Sequence, residues 1–363
     1  MASKTPNHLK MILTIARKDI TQAIRDRMIL GIIIGVLMLI LPSQLLPIIL
    51  QNESTPYAVI YGPEPTGLAN NLTNLSDTRA YSVKSFPDLM DEVASGRNNI
   101  IGLILPKDFS AKVSVKENNT IEAYLPHWTK PEEADQLVQH FENKISSLVD
   151  SPIVITIVDD QVHPDENTRG TQVMFILQLI NAVMTMTLIL VPQLMITEKE
   201  THTLDALLVS PASLSDLVIG KGLTGFFYAT IAVLIVVPMN LKIIAHWPLM
   251  LFSIFSGINF AVLTGLLIGL LFGNNQQATM VMWIGGIIAI APAFIKLILT
   301  VSLPPILEAV VNWLPSGQLA NLLQMSLMKS VDEQTALLGL GSIWIFNIIF
   351  FGLNLWQIRK QTK

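Results

Sequence analysis

Six stretches of the chain are long and apolar enough to cross a lipid bilayer as helices. A span needs about 20 mostly apolar residues, and the six stretches are residues 28–50, 171–196, 217–239, 248–272, 279–300 and 337–357. Of the 363 residues 51% are hydrophobic and only 14% are charged, and the mean hydropathy is +0.53, unlike a soluble domain. The sequence therefore predicts an α-helical integral membrane protein with six transmembrane helices.

The distribution of charge orients these spans. An even number of spans puts both chain ends on the same side of the membrane, and both ends are rich in cations. These cations are Lys4, Lys10, Arg17, Lys18, Arg25, Arg27, Arg359, Lys360 and Lys363. Because cytoplasmic segments carry the excess of Lys and Arg, we expect a multi-pass cell-membrane protein with both termini in the cytoplasm. Residues 51–170 are then extracellular.

Residues 1–27 are predicted to form a cytoplasmic amphipathic helix. Apolar residues recur there at helical spacing and four cations occupy the opposite face. The apolar residues are Leu9, Ile12, Leu13, Ala16, Ile20 and Ile24, and the cations are Lys10, Arg17, Lys18 and Arg25. This pattern favours a helix in the inner membrane interface, in contact with lipid; a solvated helix ahead of the first span is the alternative.

Residues 51–170 differ in composition and are predicted to form an inserted α/β domain. They hold 18 Asp and Glu against 9 Lys and Arg. We expect strands around Tyr57–Tyr61 and Tyr81–Phe86 and within residues 100–106 and 121–126, with helices beginning at Pro87 and covering residues 132–149. Residues 151–169 then read as the return to the membrane, and residues 171–363 as five further spans.

Sequence motifs for catalysis are missing. There is no cysteine, hence no disulfide, thiolate metal site or cysteine nucleophile. The stretch Gly62–Ala69 has the glycine spacing of a P-loop but carries Leu68 at the lysine position, so it is predicted to be a turn. His127, His140 and His163 read as scattered surface histidines. We expect no catalytic residue, metal or cofactor on this chain, no ATP hydrolysis by it alone, and no nucleic-acid partner, since a basic patch is absent.

Two features inside the spans call for an explanation. Lys296 is predicted to reach the headgroups with its long stem, with attraction of a substrate as the alternative. Glycines at four-residue spacing predict a flat helix face for close packing, as a bundle seam or a dimer interface; chance in a glycine-rich membrane chain is the alternative. These glycines are Gly31, Gly35, Gly265, Gly269 and Gly273.

A charged segment, MITEKETHTLDALLVSPASLSDLVIGK, separates the second and third spans. Glu198, Lys199 and Glu200 end the second span, and Leu204, Leu207 and Leu208 form an apolar stripe with Asp205 opposite. Pro211 disfavours helical geometry at Ser210 and so ends this short helix. Ser213 and Asp216 have the spacing of a capping box that starts the third span. From spacing alone, the segment could be no more than a connection across the cytoplasmic side.

The same run resembles the cytoplasmic segment of type-2 ABC transporter permeases. In that family a charged pair, a Thr-Leu-acid (here Thr203, Leu204 and Asp205), a Leu-Leu, a Ser-Pro and a Gly-Lys recur in this order. The single anchor, the large extracellular insertion and the five further spans are similar to its drug-export and sodium-export branch. Residues 274–281 resemble that branch's second inner loop, and residues 313–325 its outer re-entrant segment. His202 stands where the family usually has glycine.

The resemblance implies a permease subunit of an ABC exporter whose residues 198–211 are a coupling helix docking on a separate cytoplasmic ATPase. It implies that Glu198 and Glu200 position the segment, that Leu204, Leu207 and Leu208 pack it, that Ser210 and Pro211 end it, and that Gly220 and Lys221 anchor the third span. A second identical or related permease chain is expected.

An apolar seam between the two permeases would then favour export of a lipophilic or amphipathic compound, such as a drug, antibiotic or lipid. Sodium export is the alternative within the class, although the uncharged spans argue against it. A membrane sensor with an extracellular ligand-binding domain is the alternative from another class. An intramembrane enzyme would need facing polar residues at membrane depth, which the sequence does not offer.

Overall fold

The computed structural model describes most of the chain. It covers residues 8–25, 30–31, 34–35, 38, 55–62, 65–75, 77–95, 99–116, 118–158, 161–165, 168, 170–200, 213–273, 275–298 and 304–361. Most of the first predicted span and the whole segment from residue 201 to 212 lie outside these ranges. Predictions about those residues therefore remain predictions.

An N-terminal helix, α1, is followed by a small α/β unit. The elements are α1 His8–Arg25, β1 Tyr57–Tyr61, α2 Pro65–Thr73, β2 Arg79–Ser82, α3 Phe86–Val93, β3 Ile100–Ile104, α4 Phe109–Val115, β4 Asn119–Tyr124, α5 Pro131–Val149 and β5 Ile153–Ile157. The strands form one sheet in the order β2-β1-β3-β4-β5. Only β3 and β4 pair in antiparallel fashion; the other neighbours are parallel. Apolar residues of β1, β3 and β4 are buried against α5, whose Phe141 and Ile145 are fully enclosed.

The sequence prediction needs several corrections in this unit. The strand predicted around Tyr81–Phe86 spans Arg79–Ser82, Phe86 already belongs to α3, and α4 was not predicted. The stretch Gly62–Ala69 is not only a turn, because α2 begins at Pro65; proline is well suited to a first helical turn, where its missing N–H is not needed. The predicted return segment after residue 151 contains β5, which pairs with β4. The β-branched run IVITI favours a strand, but the acids and prolines around it led to a loop assignment.

The rest of the described chain is helical. Its elements are α6 Thr171–Glu200, α7 Leu214–Val236, a 3-10 turn Val237–Ile243, α8 Trp247–Leu271, α9 Asn275–Ile298, α10 Pro305–Trp313, α11 Pro315–Met325 and α12 Glu333–Gln361. Among the described residues five helices are long and apolar enough to cross a membrane: α6, α7, α8, α9 and α12. Five of the six predicted spans thus correspond to such helices, and the first lies largely outside the described residues.

Helix α6 is the centre of the bundle and packs against α7, α8 and α9. Two predicted glycines explain its close contact with α8. A Cβ at Gly265 would lie 2.9 Å from the carbonyl oxygen of Thr187, and one at Gly269 would lie 2.8 Å from Cβ of Met195. Both glycines therefore line a bundle seam, where small residues let backbones approach.

The other three predicted packing glycines do not take part in this seam. Gly273 follows the end of α8, and no described atom lies within 4 Å of a Cβ built there. The same is true of Gly31 and Gly35 with respect to the described residues. The four-residue pattern in the fourth span therefore ends at Gly269, because the helix itself ends at Leu271.

The predicted re-entrant segment, residues 313–325, corresponds to α11, and the shorter helix α10 precedes it with a break at Leu314. The chain turns so sharply there that a Cβ at Gly317 would overlap the carbonyl oxygen of Val311. Helix α11 is buried against α8, α9 and α12. Lys296, predicted to reach the headgroups, instead donates to Oδ1 of Asn312 in α10 at 2.9 Å.

Candidate functional site

Several helix ends meet at one end of the bundle, which we call the base: the C-terminal turns of α6, α8 and α12 and the N-terminal turn of α7. Nζ of Lys199 donates to the carbonyl oxygens of Gly269 at 2.7 Å, Leu270 at 3.0 Å and Phe272 at 3.0 Å. Nε2 of Gln361 donates to the same Leu270 oxygen at 2.8 Å. These cationic and amide donors satisfy carbonyls at the end of α8, where the helix dipole favours positive charge.

Helix α7 begins with the predicted capping box. Oγ of Ser213 accepts from the backbone N–H of Asp216 at 3.2 Å, and Oδ2 of Asp216 accepts from the backbone N–H of Ser213 at 2.9 Å. This prediction is confirmed. In addition, Nδ1 of His8 lies 3.0 Å from Oδ2 of Asp216, so the start of α1 is held at the start of α7.

Four charged side chains from three helices form what we call the charge quartet: Lys18, Asp19, Glu198 and Lys221. Nζ of Lys221 lies 3.1 Å from Oδ2 of Asp19 and 3.1 Å from Oε2 of Glu198. Nζ of Lys18 lies 3.4 Å from Oε1 of Glu198. Two positive and two negative charges therefore join α1, the end of α6 and the base of α7.

The quartet is buried apart from Lys18. The side chain of Lys221 is 1% exposed and that of Asp19 is 3% exposed. Burial raises the pKa of Asp19 above its usual value, and this effect outweighs the attraction of the Lys221 ammonium. Buried charges are tolerated only when they are paired, so each member depends on the others. The arrangement is suited to holding three segments in one geometry.

Helix α1 runs along α7 in the same direction. Near the start of both helices His8 contacts Asp216, and further along the hydroxyl of Tyr228 donates to the carbonyl oxygen of Ile20 at 2.9 Å. Both pairs are 208 residues apart in the sequence, so the helices are parallel. Gly220 makes the close approach possible, because a Cβ there would lie 2.8 Å from Cγ2 of Ile15. Gly220 is thus a packing position for α1.

The apolar face of α1 is divided between two surroundings. Ile15, Ala16 and Asp19 are buried against the bundle, whereas Leu9, Leu13 and Ile24 are exposed. The exposed group was predicted to contact the membrane interface, and this remains a prediction. Sequence reasoning missed Asp19, although an acid on an apolar helix face was a signal that a buried cation would pair with it.

The structure separates the predicted coupling residues into three groups. Glu198 and Lys221 come together in the charge quartet, and Gly220 packs on α1. Glu198 is therefore turned into the protein, and Glu200 is exposed at the last turn of α6. The remaining predicted residues, Thr203, Leu204, Asp205, Leu207, Leu208, Ser210 and Pro211, lie outside the described residues. In the sequence, Glu198 of the quartet precedes residues 201–212 and Lys221 follows them in α7.

A second candidate site lies between the α/β unit and the loop that joins α11 to α12. A cavity of about 540 Å³ is lined there by aromatic, apolar and charged residues, including Phe86, Tyr124, His163, Asp165 and Lys329. The rings of His127 and His163 stack at 4.1 Å between centroids. The prediction that these two histidines are scattered on the surface was therefore wrong. Burial, with a smaller contribution from His163, lowers the pKa of His127 to about 4.

The chain was compared with known families, curated proteins and solved structures. A family model described as "ABC-2 family transporter protein" matches residues 28–356, which is most of the chain. No curated protein and no solved structure matches. The match includes α6, α7 and the segment between them.

Proposed function

Because the chain belongs to the ABC-2 family of transporter proteins, whose permeases are membrane components that normally work with an ATPase partner, we propose that it is the membrane subunit of an ATP-driven exporter. The cargo is a lipophilic or amphipathic compound. A separate cytoplasmic ATPase docks on residues 198–211 and supplies the energy. The charge quartet is the observation that carries this proposal.

The quartet supports a lever at the base. A docked ATPase can move transmembrane helices only if its contact segment is rigidly joined to them, as a shift between packed arrangements. Glu198 precedes residues 201–212 and Lys221 follows them, and their side chains pair at 3.1 Å. A force on the segment would therefore reach α6 and α7 together, and Asp19 would extend it to α1.

Orientation follows from the positive-inside rule. Arg359 and Lys360 occur in the last turn of α12, and α1 carries exposed Lys10, Arg17 and Lys18. In our proposal the base is therefore cytoplasmic. The acidic α/β unit, at the other end of the span that begins at Thr171, is then extracellular, and the cavity beside Lys329 faces outwards.

A second permease chain is proposed to pack on α9. Only 22% of the apolar stretch of α9 is buried, against 72% for α6. Met280, Trp283 and Ile287 are exposed on α9, and Gly285 and Gly286 have no described atom within 4 Å of a built Cβ. Large apolar side chains beside glycines suit close helix contact in a membrane.

The α9 contact can be tested by cross-linking, because the chain has no cysteine. Ile287→Cys is expected to form a disulfide-linked dimer in native membranes, with itself or with a related chain carrying the same change. Ile348→Cys on α12, whose residue is equally exposed at 67%, is the matched control. Equal or absent cross-linking at both positions would contradict the α9 interface.

The cargo class is proposed from the charges of the spans. In the described parts of the long helices, carboxylates lie only near helix ends, at Glu198, Glu200, Asp216 and Glu333. A dedicated sodium path is normally marked by ionisable residues within the membrane, and the described carboxylates lie at the helix ends. Sodium export therefore remains the weaker alternative, and reconstituted vesicles with a sodium-sensitive dye inside would reveal it.

The central experiment uses the double variant Leu204→Asp with Leu208→Asp. We expect it to reduce ATPase co-purification and cargo-stimulated ATP hydrolysis at least tenfold, because two charges would replace the apolar stripe. The matched control is Val115→Asp with Val154→Asp, which changes two exposed apolar residues of the α/β unit. Unchanged ATPase binding and export in the first variant would refute the coupling assignment.

A sensor is the second candidate, and the 540 Å³ cavity is the observation that favours it. Its mixed aromatic and charged lining suits a small amphipathic ligand, and its contact with the α11–α12 loop would pass a signal to the bundle. In that case Tyr124→Ala would abolish the ligand response, and the reconstituted protein would export no cargo. Cargo export that is unchanged in Tyr124→Ala would favour the exporter.

A further inference from the structure

Helices α8 and α12 are joined by a ladder of side-chain amides that the sequence analysis did not single out. Nδ2 of Asn347 donates to the carbonyl oxygen of Ser256 at 3.3 Å, and Nδ2 of Asn354 donates to that of Leu263 at 2.9 Å. Gln361 continues the ladder at the base. The spacing of seven residues on both helices shows that they run parallel in register.

The ladder uses only one end of each asparagine side chain. Among the described residues no donor reaches Oδ1 of Asn347 or Oδ1 of Asn354, and both residues are 97% buried, with 3% exposure each. A buried acceptor without a donor costs about 1–3 kcal/mol, and native structures nearly always provide a partner. Two such oxygens on one helix face therefore point to a donor from elsewhere.

Both asparagines line a groove between α7, α8 and α12, which we call the amide groove. Its volume is about 450 Å³, within the range of small-molecule sites, and its walls are otherwise mainly apolar, including Leu223, Phe226 and Leu266. Leu223 is 42% exposed at the rim, so the groove opens on the surface that the surrounding bilayer covers. A molecule dissolved in the membrane can enter it sideways.

We propose that the amide groove binds a compact membrane-dissolved molecule that has an apolar body and hydroxyl or N–H donors for Asn347 and Asn354. The two residues are seven positions apart, or about 10 Å along the helix. Asn347 lies at the midpoint of α12, fourteen residues from Glu333 and fourteen from Gln361. A phospholipid headgroup stays near the surface, so a lipophilic alcohol, amine or amide fits better.

This binding site requires only that the three helices lie in a bilayer, and it does not depend on the ATPase partner. The test uses protein reconstituted in phosphatidylcholine vesicles. The probes are a diazirine-bearing twelve-carbon alcohol and its methyl ether, which differ in one hydrogen-bond donor. After illumination, labelled peptides are located by mass spectrometry. We expect the alcohol to label the groove walls of α7 and α12 at least threefold more than the ether.

Two variants separate the donor effect from packing. The double variant Asn347→Leu with Asn354→Leu removes both acceptors and is expected to bring the alcohol down to the level of the ether. Leu223→Trp fills the groove and is expected to reduce alcohol labelling at least fivefold without touching the ladder. Leu234→Trp is its matched control, since Leu234 is an exposed residue of the same helix that does not line the groove.

Three results would overturn the proposal. Equal labelling by the two probes in the unchanged protein would mean that the groove holds only acyl chains. Labelling that survives Leu223→Trp would place the probe elsewhere. Efficient disulfide formation between Leu223→Cys and Gly35→Cys would mean that the first predicted span fills the groove. Failure of the ATPase to co-purify would refute the exporter assignment and leave these results unaffected.

Discussion

Replacing Asp19 by asparagine should destabilise the base, because it leaves the buried charge quartet with a net charge of +1. Unit charges 3.1 Å apart, the distance from Asp19 to Lys221, attract by about 5 kcal/mol at an effective dielectric constant of about 20. Desolvation raises the pKa of Asp19 and outweighs this attraction, so the cost of the change comes from leaving the buried Lys221 ammonium with only one of its two carboxylate partners. We therefore expect Asp19→Asn to lower the free energy of unfolding by about 2–3 kcal/mol.

A double-mutant cycle tests this reasoning. Lys221→Met alone leaves two carboxylates facing only the half-exposed Lys18, and should cost about 3 kcal/mol. The double variant keeps one pair, Lys18 with Glu198, and is neutral, so it should cost about 2–3 kcal/mol less than the sum of the two single changes.

The assay is unfolding in mixed micelles, combined with hydrogen exchange of residues 8–25, which should accelerate in Asp19→Asn as α1 detaches. Asp135→Asn, at an exposed acid of α5, is the control and should change neither measurement. The claim that the quartet acts as a unit would be refuted if the costs of the two single changes added up to that of the double variant within about 0.5 kcal/mol. Unchanged hydrogen exchange of α1 in Asp19→Asn would refute it as well.

Three further predictions follow from close contacts and from one titration. Gly220→Ala places a methyl group 2.8 Å from Ile15 and should cost about 1–3 kcal/mol and accelerate exchange in α1; Gly341→Ala, with no described atom within 4 Å, should cost nothing. Gly269→Ala should cost a similar ~1–3 kcal/mol in thermal unfolding of the bundle without accelerating exchange in α1. The pKa of His127 is lowered from 6.5 to about 4 in the folded protein. As pH falls, the unfolded chain therefore takes up a proton on this histidine before the folded chain does. Its stabilisation is therefore complete above pH 6.5 and is lost as pH falls towards 4, by about 1–2 kcal/mol after solvent screening; His127→Leu should flatten that part of the pH profile, and a profile identical to the unchanged protein would contradict the assignment.

Local sequence signals predicted the long helices of the bundle and some elements of the α/β unit. The spans follow from apolar length, and the capping box of Ser213 and Asp216 follows from a three-residue spacing, since both depend on neighbours in the chain. Strand β5 was missed because the acids and prolines around its β-branched run favoured a loop, and its pairing with β4 is not visible in the local sequence. Helix α2 was missed because the glycines around Pro65 resembled a loop.

The candidate site was predictable only in part. Glu198 and Lys221 were identified through the family resemblance, but the charge quartet was not, because its member Asp19 lies 202 positions from Lys221. The amide ladder illustrates the same limit. Asn347 and Asn354 are polar residues at heptad spacing in an apolar helix, a visible pattern, but its meaning depends on the carbonyl oxygens of α8.

Photo-cross-linking from the coupling segment tests the central claim most directly. Benzoylphenylalanine at position 204 should cross-link, in the purified complex, to a protein whose peptides include a Walker A sequence, whereas the same amino acid at position 115 should not. ATP binding should change the yield at position 204 if, as we propose, the ATPase docks there and moves the base. Cross-links from position 204 only to lipid or to the permease itself, in a complex that still hydrolyses ATP, would contradict the account.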